Sequence, residues 1–402
     1  MNLLIIHQNF PGQFRHVALA ALHRRFNVLA IGRDTAPGVA GIKLIRYRSS
    51  QIKPRESHPY LHRYEDAVFD GQKVCELLGQ IKRKGYRPDV MLAHPGWGET
   101  LFIKDVYPDV PLVHFCEYYY QSHGADSGFD PEFSCAANSS SRLRVLNSMH
   151  LLNIEQCDIG IAPTVWQRSL FPPVYHSKIR VMHEGVIPVR GLETVESLIL
   201  SNGVVITAGQ PVVTYVARNL EPYRGFHSFV RSIPHIQAKC PSAQIVIIGG
   251  DEVSYGRLPV GYKNWRERML SEVDFDRSNV HFTGRLSYQE YRAALKLSKA
   301  HVYLTYPFIL SWSLLEAMAS GCTVIGSDTA PVKEVIVHGC NGILVDFFDY
   351  EAIADAVCNV LESPDEFDRI RNSARETARK FDVENGLKGY FQIFEDAMAA
   401  KF

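Results

Sequence analysis

The chain has 402 residues, 43 Lys+Arg against 43 Asp+Glu, and 46% hydrophobic residues. At about 150 residues per domain this length predicts two or three domains, and the apolar fraction excludes a disordered chain. Zero net charge argues against a nucleic-acid binder, and no apolar run approaches the roughly 18 residues of a membrane span.

The opening Met1-Asn2-Leu3-Leu4-Ile5-Ile6 has no basic leader and too short an apolar stretch for a signal peptide, so a cytoplasmic location is expected. Residues 3–7 read as a buried strand, Pro11-Gly12 as a break, 13–25 as a helix with one apolar face, and 26–31 as a second strand. A crossover of this length joins parallel strands. Further strands are expected at 90–94, 111–116, 159–162 and 179–182. Between about 186 and 211 the signals weaken, with a linker expected at 187–191 and a turn at Asn202-Gly203. A second series follows: strands at 212–217, 244–248, 280–283, 301–304 and 323–326, and helices at 226–239, 313–319, 350–361, 365–379 and 383–400. The pattern predicts two successive α/β units with parallel sheets. In such sheets ligands bind beyond the carboxyl ends of the strands, and two facing halves would frame a cleft.

Eight scattered cysteines, none in a C-x-x-C pair, predict buried reduced thiols rather than a zinc site. There is no P-loop, no G-x-G-x-x-G after the first strand and no G-x-S-x-G elbow. A P-loop nucleotidase, a typical dinucleotide oxidoreductase and an α/β-hydrolase are therefore disfavoured.

Two constellations carry chemistry. In the first, a strand ends near Tyr306, and a helix with Ser311, Ser313, Leu314, Leu315 and Glu316 at its start follows. Free backbone N–H groups at such a start bind anions without side-chain charge. Ser313-x-x-Glu316 also has capping-box spacing, which the spacing alone favours for Glu316. In the second, Arg218 and Arg224 flank a strand end and a helix start, where two guanidinium groups suit a diphosphate. Alternatively both are solvated, one pairing with Glu221. Gly249 and Gly250 end another strand and permit close backbone approach.

The stretches S-L-L-E-A-M-A-S-G-C-T-V-I, D-T-A-P-V-K-E-V-I and G-C-N-G-I-L-V resemble the C-terminal half of family 4 of the retaining glycosyltransferases. V-A-R-N-L-E-P-Y-R-G-F resembles that family's diphosphate element, and H-Q-N-F-P-G-Q-F-R-H, C-E-Y-Y-Y and P-T-V-W-Q resemble a bacterial subgroup. The resemblance implies a GT-B fold, two Rossmann-like domains with a donor cleft. The expected domains are 1–190 for the acceptor, 191–382 for the nucleotide sugar, and a helix at 383–402 crossing back to the first. By the same resemblance Arg218 and Arg224 neutralise the donor diphosphate, and Glu316, the second glutamate of E-x(7)-E, holds the ribose. Gly12 lies in the loop near donor phosphate and acceptor, and Arg285-Leu286 lie where backbone meets the nucleobase. Two positions depart from the family pattern. The first glutamate is Phe308, and the usual lysine is Arg224 with one extra residue of spacing.

In the N-terminal half, Glu117 stands where many relatives carry a histidine near the reacting centre. A carboxylate there can orient or deprotonate an acceptor hydroxyl, or simply line the cleft. His94, at another strand end, is the second catalytic candidate. Tyr118, Tyr119 and Tyr120 form a stacking wall for a sugar or merely pack. No metal clamp is implied, because no D-x-D pair stands at a strand end.

The expectation is a metal-independent hexosyltransferase of bacterial glycan or glycoconjugate synthesis. No cofactor is expected; a UDP- or GDP-linked sugar serves as co-substrate. A nucleotide-sugar epimerase of the same plan and a non-catalytic sugar-nucleotide-binding subunit are the alternatives. Glycan, lipid-linked, protein and small-molecule acceptors all remain open. Within the first 63 residues ten basic side chains, among them Arg24, Arg33 and Arg46, face only Asp34 and Glu56. That excess admits an anionic acceptor or peripheral contact with the inner membrane face.

Overall fold

A computed structural model describes residues 1–49, 56–133, 139–187 and 195–400. The chain divides into two compact units, Met1–Gly185 with Val383–Phe402, and Val186–Asp382. Beyond Ile187, the linker expected at 187–191 lies outside the described residues.

The first unit runs β1 (Asn2–Ile6), α1 (Arg15–His23), β2 (Asn27–Arg33), β3 (Lys43–Tyr47), α2 (His62–Arg83), β4 (Val90–Ala93), α3 (Ile103–Val106), β5 (Leu112–Phe115), α4 (Ser139–Gln156), β6 (Ile159–Ala162), α5 (Val165–Ser169) and β7 (Ile179–Val181). Its seven strands pair in parallel in the order β3-β2-β1-β4-β5-β6-β7. Leu3, Leu4, Ile5 and Ile6 are all fully buried, as a strand covered on both faces requires. The helix expected over 13–25 is split: a 3-10 turn at Gly12–Phe14 precedes α1.

The second unit runs β8 (Ser197–Ile199), β9 (Val205–Thr207), β10 (Val212–Asn219), α6 (Phe226–Lys239), β11 (Gln244–Gly250), α7 (Trp265–Glu272), β12 (Val280–Gly284), α8 (Tyr288–Leu297), β13 (Ala300–Tyr303), α9 (Trp312–Ser320), β14 (Thr323–Ser327), α10 (Ala330–Lys333), β15 (Ile343–Val345), α11 (Tyr350–Glu362) and α12 (Asp368–Lys380). Six strands pair in parallel in the order β12-β11-β10-β13-β14-β15. In the weak-signal region β8 and β9 form an antiparallel hairpin. Its turn carries Gly203 at φ 84°, with Asn202 Oδ1 accepting from the Val204 amide. Each hairpin strand buries a single residue, Leu198 or Ile206, which explains the faint pattern.

The last helix, α13 (Val383–Ala399), belongs to the first unit. Tyr390, Phe391, Phe394 and Ala397 recur at helical spacing and enter the core cluster of Leu3, Ile5, Phe10 and Phe14. Arg180 pairs with Asp396 at its rim. Close packing needs two glycines. A Cβ on Gly386 would lie 2.3 Å from the Glu184 carbonyl oxygen, and one on Gly389 would lie 2.2 Å from Met182 Sδ.

Cys116, Cys157, Cys240, Cys322 and Cys358 are buried thiols, but Cys340 is exposed and Cys75 half-buried. Cys135 lies outside the described residues. Cys340 sits in the turn bridged by His338 and Gly342.

Gly386→Ala is expected to lower stability by about 1–3 kcal/mol, because the obstacle is backbone that cannot rotate aside. Denaturant unfolding checks this; a wild-type midpoint would show that α13 does not need the close approach.

Candidate active site

The strand order reverses once in each sheet, between β1 and β4 in the first unit and between β10 and β13 in the second. At such a switch point the connections leave on opposite sides and open a crevice at the carboxyl ends.

In the first unit, β1 leads into His7, β4 into His94 and β5 into Glu117. Gly12 turns back over His7 at φ 46°, and a Cβ there would lie 2.4 Å from His7 Nε2. The Asn9 amide donates to His7 Nδ1 at 3.0 Å, so Nε2 carries the proton and donates to Gln13 Oε1 at 2.9 Å. Gln13 Nε2 then donates to Glu117 Oε1 at 2.6 Å. On the other side the Gly96 amide donates to His94 Nδ1 at 3.1 Å, and His94 Nε2 donates to Glu117 Oε2 at 3.2 Å. His94 stacks on Trp97 at 4.3 Å, and Gln167 Nε2 donates to the Glu117 carbonyl at 2.6 Å.

Burial alone would raise the Glu117 carboxyl. The bonds from His94 and Gln13, with the electrostatic pull of the His94 and His7 rings, outweigh burial and hold it below its ordinary value. A carboxylate kept ionised this way is a weak base and a strong electrostatic partner. Sequence reasoning found Glu117 and His94 but missed Gln13 and His7. Their signal was the short H-Q-N-F-P-G-Q turn, whose polar side chains fold back onto the strand end.

The three tyrosines pack. Tyr118 donates to Asp126 at 2.6 Å, Tyr119 lies on Phe171, and the Tyr120 amide donates to Asn147. The basic excess is also partly spent. Arg33 pairs with buried Asp70 at 2.6 Å, Arg46 donates to backbone carbonyls, and Arg24 lies 3.7 Å over the Phe391 ring.

In the second unit, Arg218 is the penultimate residue of β10; it is exposed and engages no carboxylate among the described residues. Glu221 is fully buried and pairs with neither arginine. It accepts from the Ser254, Tyr255 and Gly256 amides at 3.1, 3.1 and 2.9 Å, pinning the loop after β11. Gly225, at φ 71°, starts α6.

Arg224 is buried. It donates to Thr305 Oγ1 at 3.0 Å and the Ile309 carbonyl at 2.7 Å. Tyr255 and Phe308 present ring faces 5.2 and 5.8 Å from its guanidinium carbon. It therefore braces the loop before α9, where the sequence predicted a free clamp. Phe308 itself packs edge-on to Tyr255 at 4.9 Å and Tyr223 at 5.3 Å.

Gly249 and Gly250 are tight for internal reasons. Their Cβ atoms would meet the Ala217 carbonyl at 2.7 Å and Asn219 Oδ1 at 2.6 Å. Arg285 spans Asn219 Oδ1 at 3.0 Å and Glu252 at 2.6 Å, while Leu286 is half-buried against the β8–β9 hairpin.

The start of α9 differs from the capping-box expectation. Ser311 is the N-cap and accepts from the Ser313 amide, so Glu316 lies too far into the helix to reach back. The capping box stands on α8 instead, between Ser287 and Glu290. Leu314 and Leu315 bury their side chains and offer only backbone to a ligand. Glu316 accepts from Tyr288 at Oε1 (2.9 Å) and from Tyr291 at Oε2 (2.8 Å). Burial raises its carboxyl above the ordinary value, against the pull of the two tyrosines and Arg292.

Two family models cover most of the chain. The glycosyl transferase family 4 group matches residues 24–188, and the glycosyl transferases group 1 matches residues 201–380. Each half of the chain thus matches a glycosyltransferase family model. An uncharacterized glycosyltransferase of Methanocaldococcus jannaschii is 29% identical over 145 residues, 34% of this chain and 36% of that protein. A phosphatidyl-myo-inositol mannosyltransferase of Mycolicibacterium smegmatis is 27% identical over 154 residues, 37% of this chain and 36% of that protein. The matched part thus spans just over a third of the length of these relatives. The solved structure of Anabaena HepE in complex with UDP and glucose shares the fold, with TM-score 0.68, 17% identity and coverage of 98% and 100%.

Three buried imidazoles of the first unit make its fold acid-sensitive. Burial lowers His7 and His114 to about 3 and His150 to about 4. The unfolded chain takes up these protons near pH 6.5, so stability falls as pH drops below that value. The loss is up to about 1.4 kcal/mol per imidazole per pH unit. Guanidinium unfolding at pH 7.5 and 5.0 is expected to show a lower midpoint at pH 5.0. Equal midpoints would mean that these rings are not held neutral.

Proposed function

We propose that the protein transfers a sugar from a UDP- or GDP-linked donor to an acceptor hydroxyl with retention of configuration. The bond from the anomeric carbon to the phosphate oxygen breaks. A bond to the acceptor oxygen forms, and the acceptor proton leaves with the diphosphate. The second unit takes the donor and the first the acceptor. What carries the reading is the switch point of the second sheet. There an exposed Arg218, the Ser311-capped start of α9 and the carboxylate of Glu316 lie on elements at one sheet edge. Arg218 and the α9 amides meet the diphosphate, and Arg224 adds charge from beneath while bracing the loop. Glu316 accepts from the ribose, and backbone near Arg285 and Leu286 meets the base. Gly12 allows close approach in the first unit. There the ionised Glu117, held by His94, orients the acceptor hydroxyl.

Among the described residues Arg218 supports no other group, so Arg218→Ala is expected to keep the wild-type melting temperature. Its affinity for UDP or GDP should fall at least about tenfold, the loss of one charge-assisted contact. Calorimetric titration and a thermal-shift screen of nucleotide sugars test this. Unchanged affinity removes Arg218 from the site. Glu117→Gln keeps shape and loses charge. With the donor found in that screen, turnover should drop by about 100-fold or more while donor KM stays within a few-fold. Wild-type turnover would show that Glu117 is only a wall of the pocket.

A further inference from the structure

Each carboxylate oxygen of Glu316 has two acceptor positions. Tyr288 fills one on Oε1 and Tyr291 fills one on Oε2. One position remains on each oxygen, which matches two vicinal hydroxyls donating side by side. The tyrosines are fixed in turn. The Ser287–Glu290 box starts α8, so Tyr288 and Tyr291 stand about one turn apart on one face. Tyr291 packs into the core beside Leu295 and Leu314, whereas Tyr288 is 45% exposed. The guanidinium carbon of Arg292 lies 5.8 Å over the Tyr288 ring.

We infer that Tyr288 and Tyr291 are positioning residues that hold Glu316 as a two-point acceptor for the ribose diol and so select ribonucleotides over deoxyribonucleotides. The inference rests on the reading of Glu316 as the ribose carboxylate and adds what orients it.

A readout beyond simple loss of packing follows. The groups acting on this carboxyl are Tyr288, Tyr291 and Arg292, all on α8. The stretch Trp312–Ser320 of α9 carries no other titratable side chain. Cys322, at the start of β14, acts on Tyr291, and Arg375 of α12 covers Gly321 at the far end of α9. Removing both hydroxyls leaves burial opposed by Arg292 alone, so the carboxyl takes up a proton at higher pH. A protonated carboxyl has turned one oxygen into a donor and cannot accept from both ribose hydroxyls. The double variant should therefore bind weakly at low pH and recover as pH rises.

The test is calorimetric titration of UDP and GDP, and of their 2′-deoxy forms, at pH 5.5, 7.0 and 8.5. The proteins are the wild type, Glu316→Gln, Tyr288→Phe, Tyr291→Phe and the double tyrosine variant, each with its melting temperature. The wild type is expected to bind the ribose form at least about tenfold tighter than the 2′-deoxy form, at every pH. Glu316→Gln should lose that preference. The double variant should lose it at pH 5.5 and regain it in part at pH 8.5. Tyr288→Phe, which touches no core, should show a smaller shift in the same direction and carries the test if Tyr291→Phe fails to fold. If Glu316→Gln abolishes the preference while the tyrosine variants keep wild-type affinity at all pH values, the site reading stands and the tyrosine role is overturned. If Glu316→Gln changes nothing, or neither diphosphate binds the wild type, the ribose reading falls and takes this inference with it.

Discussion

Everything functional in this chain depends on burying parallel sheets on both faces. Strands such as Leu3–Ile6 and Val212–Tyr215 are buried on either side, so they leave no exposed surface along their length. Only the strand ends can present chemistry. The one reversal of strand order in each sheet then selects which ends. In the first unit these are the ends of β1 and β4, carrying His7 and His94. In the second they are the ends of β10 and β13, carrying Arg218 and the loop that leads to α9. Each unit thus repeats one rule with different side chains.

The two carboxyls at these sites are shifted in opposite directions from their ordinary values. Glu117 receives N–H donors on both oxygens and has histidines beside it, so the donated bonds and the electrostatic pull of those rings overcome burial. Glu316 receives two phenolic hydroxyls, which are neutral and weaker, and burial wins. Glu117 therefore behaves as a fixed negative charge, whereas Glu316 depends on its tyrosines to stay an acceptor. Those environments suit different tasks: the first orients an acceptor hydroxyl, and the second reads a pair of hydroxyl groups.

Architecture was the most legible level, because inner parallel strands are continuous apolar runs and their helices show one apolar face. Thr323–Ser327 and Phe226–Lys239 stood out for that reason. The β8–β9 hairpin did not, since each strand buries one residue. At the sites, residue type and position at a strand end were legible for Glu117, His94 and Arg218. Partnerships across the chain were not. Gln13 reaches Glu117 from 104 residues away, and Tyr288 reaches Glu316 from 28. The capping box was misplaced because Ser311 and Ser313 both suit an N-cap, and local spacing cannot decide between them. Ser311 prevails because its own amide donates to the buried Tyr303 hydroxyl at 2.7 Å.

Arg224 and Phe308 are best understood together. A glutamate at 308 would sit near a buried guanidinium and cancel its charge. With phenylalanine there, the guanidinium keeps its charge and is satisfied by a hydroxyl, a carbonyl and two ring faces. Aromatic rings stabilise a cation without neutralising it. Glu221, the nearest carboxylate in sequence, is occupied by three backbone amides and acts on the guanidinium through space without pairing with it. The edge of the second sheet therefore keeps a positive charge under the loop that leads to α9, and a second at Arg218, which pairs with no carboxylate among the described residues. Losing an acidic group at 308 and burying an arginine beside it are one change in physical terms: both leave the site more attractive to an anion, at the expense of the carboxylate contact that the family pattern provides.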